Sequence, residues 1–160
     1  MEVREINEIW KKFDDYVGDT YRMRLRKLEY WYEGKHWDDF DPVYNTKFSI
    51  LNYDQDIELC CKEIDRLFRK YGYKYIKEFA NAEGVDFLYN SNFKSMEKNW
   101  HCAGFQVQSV LGIISAKLVS NPNYDQIVNT YNKRIELHSI NGTMDQSDIN
   151  RFYKVKDYLG

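Results

Sequence analysis

One stretch, GKHWDDFDPVYNT, gathers His36, Asp38, Asp39 and Asp41, residue types that bind divalent metals or move protons. Hard cations want several carboxylate oxygens converging from a loop. The calcium-loop pattern nonetheless fails. Counting from Asp38, Asp39 or Asp41 puts Ser49, Ile50 or Asn52 where the closing Glu belongs, and no Gly stands at the mid-loop turn. A phosphodiester-cleaving centre would need further acids and a Lys brought from elsewhere. The sequence does not demand them, so the expectation is a solvated acidic loop without metal. Cys60, Cys61, His101 and Cys102 form the other cluster. Adjacent cysteines on a helix point about 100° apart, which suits one tetrahedral zinc poorly. The usual paired-ligand spacing is missing, and Cys102 lacks a His placed for it by anything but sequence adjacency. Phosphate-cradling glycine loops and the common hydrolase signatures are also missing. The chain therefore reads as non-enzymatic, with no cofactor.

A third segment has a different chemistry. Residues 21–37, YRMRLRKLEYWYEGKHW, interleave Arg22, Arg24, Arg26 and Lys27 with Tyr, Trp and Leu, in a chain that carries Tyr 14, Phe 9 and Trp 4. Arg pairs bidentately with carboxylates and phosphates. Trp and Tyr pack into protein pockets or stack on bases. A bland alternative stands beside this: Tyr21, Leu25, Leu28 and Tyr32 as core, and the arginines as a solvated face partnered by Glu29 and Glu33. As a binding surface, its residues would be Arg22, Arg24, Arg26, Tyr30, Trp31 and Trp37, with Asp38, Asp39 and Asp41 as an acidic companion. The many tyrosine hydroxyls each want a partner or water, which keeps several at the surface and favours a binding protein.

The elements that would position these residues are mostly helical. Val3, Ile6, Ile9, Trp10, Phe13, Tyr16 and Val17 fall on one helical face, with Gly18 as the stop. Residues 19–33 fit a helix, and alternation within them also fits a hairpin. Ile57, Cys60, Cys61, Ile64, Leu67, Phe68 and Tyr71 form a helical stripe that Asp54 opens and Gly72 ends. Residues 73–83 follow as a shorter helix stopped at Gly84. Residues 103–119 are apolar nearly all round, the pattern of a central buried helix. Asn121 and Pro122 open the next helix, with Ile127, Val128, Tyr131, Ile135 and His138 as its stripe. A last helix starts near Asp145 and turns Ile149, Phe152, Tyr153 and Leu159 inward. The expected fold is thus mainly α: a single domain over residues 1–160, a helical bundle around a central apolar helix at about 103–119. Residues 47–53 and 85–89 leave room for a small two- or three-stranded element, which would make it α+β.

Composition bounds the function. A formal charge of -2 gives neither the basic excess of a nucleic-acid binder nor the acidity of a nucleic-acid mimic. The charged N-terminus has no apolar signal core, no run approaches the roughly 20 apolar residues of a membrane span, and an odd cysteine count suits free thiols in a reducing cytoplasm. Abundant Asn, Lys, Ile and Tyr with scarce Ala point to an AT-rich genome. In character, though not in any motif, the chain is similar to phage or mobile-element proteins that block a host machine, anti-CRISPR inhibitors among them. The expected function is a protein-binding inhibitor or adaptor acting on a host protein or nucleoprotein complex in the cytoplasm. The alternatives are direct nucleic-acid binding, with or without metal-dependent cleavage, and a structural subunit of a virion or other assembly.

Overall fold

The computed structural model describes residues 3–13, 28, 31–34, 53–95 and 104–160. Among these residues the protein is mainly helical and contains no strand. Its helices are α1 (Arg4–Trp10), α2 (Tyr53–Leu67), α3 (Tyr73–Phe79), α4 (Ala82–Asn90), α5 (Phe105–Leu118), α6 (Tyr124–Ile140) and α7 (Gln146–Leu159), and a π turn, Phe68–Gly72, joins α2 to α3. The chain divides into two compact units, one of Met1–Arg22 with Phe79–Gly160 and one of Met23–Glu78.

In the first unit α5 packs against α1, α4, α6 and α7. Every residue from Gln108 to Ala116 is buried, so this helix turns no charged face to water along that stretch. Gln108, Ser109 and Ser115 are buried with it, and the Ser115 hydroxyl donates to Gly112 O at 3.1 Å, within its own helix. Around it the partner helices present ordinary amphipathic stripes. Val85, Leu88 and Tyr89 line α4, Ile127, Tyr131 and Ile135 line α6, and Ile149, Phe152 and Val155 line α7. Each such aliphatic side chain contributes about 1.5–3 kcal/mol through burial.

A close helix approach is built at Gly112. A Cβ there would lie 2.7 Å from the Tyr131 ring and hydroxyl, so only glycine lets α6 bring that ring against the α5 backbone. The Tyr131 hydroxyl shares its proton between Tyr89 O and Asn90 Oδ1, both at 3.1 Å. Asn90 in turn donates to Gly112 O at 2.9 Å and to Asp86 Oδ1 at 2.7 Å, and Asn121 donates to Asp86 Oδ2 at 2.6 Å. This polar network ties α4 to α5, to α6 and to the α5–α6 turn. Buried polar groups that are mutually satisfied fix one arrangement of the helices, because any other leaves them unpaired. Arg134 is a buried cation. Its guanidinium lies 4.2 Å from the Phe105 ring centroid, and burial lowers its pKa.

Three expectations need correction. Residues 85–89 are not a strand but the heart of α4. Asn81 caps that helix, its Oδ1 accepting from Gly84 N–H at 2.7 Å, and Gly84 stands in the first turn instead of ending a preceding helix. Val85, Leu88 and Tyr89 are buried at helical spacing, whereas Phe87 between them is exposed. The other proposed strand, residues 47–53, lies outside the described residues except Tyr53, which begins α2. Nor does Gly72 end a helix. The chain passes through the π turn into α3 without a break, and the stop comes at Ala80–Asn81. Leu28, Trp31 and Tyr32 are helical, which agrees with the helical reading of the Arg/aromatic segment where it is described.

Candidate interaction surface

The second unit carries two adjoining lines of apolar side chains on α2, the π turn and α3. Leu67, Tyr71 and Tyr75 are buried, four residues apart. In an α-helix each step of four overshoots a full turn by about 40°, so such a line drifts around the axis. The π turn advances less per residue and takes back that drift. It also realigns the second line. Tyr73 N–H bonds to Phe68 O, five residues back, which stacks Tyr73 one turn above Phe68. Ile57, Cys61, Ile64, Phe68, Tyr73 and Ile76 consequently follow one another along the helix, and all are exposed. Ile64 is 47% and Tyr73 63% accessible.

The sequence stripe had placed Ile57, Cys61, Ile64 and Phe68 inward with Leu67 and Tyr71. Only the latter two are buried. The physical reason is width: the apolar positions cover more of the helix than one contact face, and the line through Leu67 and Tyr71 is the one covered. Cys60 is half-buried and Cys61 exposed.

Three of the cations beside the apolar line are paired within the helix. Lys62 meets Glu58 at 2.6 Å, Arg69 meets Asp65 at 2.7 Å, and Lys74 meets Glu78 at 3.8 Å. Exposed pairs of this kind add little stability. Their consequence here is that Lys62, Arg69 and Lys74 each have a carboxylate beside them.

Of the residues expected to bind a partner, Trp31 is described, and Arg22, Arg24, Arg26, Tyr30, Trp37, Asp38, Asp39 and Asp41 lie outside the described residues. His36, His101 and Cys102 lie outside them as well. Trp31 joins an aromatic cluster. Its ring is 5.0 Å from Tyr32 and meets Tyr75 edge-on at 5.8 Å, while Tyr32 stacks parallel to Tyr71 at 6.1 Å. Lys74 Nζ lies 4.3 Å from the Tyr32 ring centroid and Lys70 Nζ 4.8 Å from that of Tyr71. Both tyrosine hydroxyls donate to carboxylates: Tyr32 to Glu78 at 2.7 Å, and Tyr71 to Glu33, which also accepts from Lys70 at 3.1 Å. Burial and then the bond to Glu78 push the Tyr32 pKa well above the usual tyrosine value. The hydrogen bonds to Tyr71 and Glu33 raise that of Lys70. These contacts make the cluster an amphipathic platform, half in and half out of water.

Among the described residues no group of three or more His, Cys, Asp and Glu could hold a metal ion. No helix among them is long and apolar enough to cross a membrane. No protein-family model, curated protein or solved structure matches the chain.

Proposed function

We propose that the chain is a non-enzymatic binding protein that engages a partner protein through the exposed apolar line of α2, the π turn and α3. In the form its composition favours, it is a phage- or mobile-element-encoded inhibitor or adaptor, acting on a host macromolecular machine in the cytoplasm. The unit that holds α5 is then a bundle built around that helix. One observation carries the reading: Ile57, Cys61, Ile64, Phe68, Tyr73 and Ile76 stand exposed in sequence along one helical path. Apolar surface exposed as a continuous patch costs free energy in water that a covering partner recovers. The pairing of Lys62, Arg69 and Lys74 with neighbouring carboxylates favours a protein over a polyanion, since phosphate binding draws on uncompensated Lys and Arg.

The test is affinity capture of the tagged protein from a bacterial lysate, with and without nuclease, using three baits: the unaltered chain, Ile64→Glu with Tyr73→Glu, and Arg22→Glu with Arg24→Glu and Arg26→Glu. A stoichiometric protein that survives nuclease and is lost from the Ile64/Tyr73 bait supports the reading. Loss from the arginine bait alone would move the surface to residues 21–37. Capture that disappears with nuclease would replace protein binding by nucleic-acid binding. Circular dichroism on each bait shows that the helices are retained.

A further inference from the structure

We draw no further inference here: the strongest candidate, the exposed apolar line of α2, the π turn and α3, belongs to the surface already described, and nothing in the structure shows which partner covers it.

Discussion

Replacing Gly112 by alanine sets two effects against each other, and the structure decides which wins. Helix propensity favours alanine in a helix interior by about 1 kcal/mol. Against this, the added Cβ would lie 2.7 Å from Tyr131 Cε2 and hydroxyl and 2.9 Å from Cζ. Tyr131 has no room to retreat: it is fully buried, and its hydroxyl is held by Tyr89 O and Asn90 Oδ1. Overpacking of this kind costs about 1–3 kcal/mol. A ring displaced far enough to lose the hydroxyl bond leaves buried polar groups unsatisfied, for about 1–3 kcal/mol more. The net expectation for Gly112→Ala is a loss of about 1–5 kcal/mol, or a Tm lower by about 2–20 °C in a chain of this length. Thermal and urea unfolding followed by circular dichroism read it directly. A Tyr131→Leu background removes the obstructing ring edge, so there the same Gly112→Ala change should cost at least about 1 kcal/mol less. A Gly112→Ala protein as stable as the parent, or more so, would show that propensity dominates and refute the close approach.

Three further expectations rest on single local features. Ser120 adopts φ +53 at the end of α5, where its N–H reaches Lys117 O at 3.1 Å; Ser120→Gly relieves that conformation and should raise stability by about 0.5–1 kcal/mol in urea melts. Asn81→Ala removes the cap of α4 and should cost about 1 kcal/mol, with no change in the denaturant slope m. The Tyr32 pKa is raised in the folded state, so its contribution to stability is fully present below the ordinary tyrosine pKa and is lost as pH climbs through the raised value. Tyr32→Phe should therefore flatten the decline in stability above pH ~10, and ultraviolet titration of the parent should show a tyrosine resistant to ionisation that Tyr32→Phe lacks.

The helices were legible from the sequence where apolar spacing alone decided them. Val3, Ile6 and Trp10 pack inward on α1, Ile127, Tyr131 and Ile135 on α6, and Ile149 and Phe152 on α7, as their periodicity requires. Val155 and Arg134 were missed: the first is one more turn of the α7 stripe, and the second is a cation buried against Phe105 that no period announces. Residues 85–89 misled because Val, Phe and Tyr favour strands locally, while the Asn81 cap and helical burial of Val85, Leu88 and Tyr89 override that preference. The π turn had no signal in the sequence beyond Gly72, which reads equally well as a helix stop. For the candidate surface, the residues named from the sequence lie outside the described residues except Trp31, which packs against Tyr32 and Tyr75 and is not on the exposed line. The exposed line itself was hidden, because a sequence shows that Ile57, Ile64 and Phe68 share a helix face but not whether a neighbour covers it. Tertiary packing alone settles that.

The central claim is tested most directly by measuring, by titration calorimetry, the affinity of the captured partner for the parent chain and for the Ile64→Glu, Tyr73→Glu variant. Each charge forced into a desolvated contact costs at least about 2 kcal/mol, about 4 kcal/mol for the two together, so the account predicts an affinity about 700-fold weaker or more with circular dichroism and Tm unchanged. An undiminished affinity in a folded variant would contradict it.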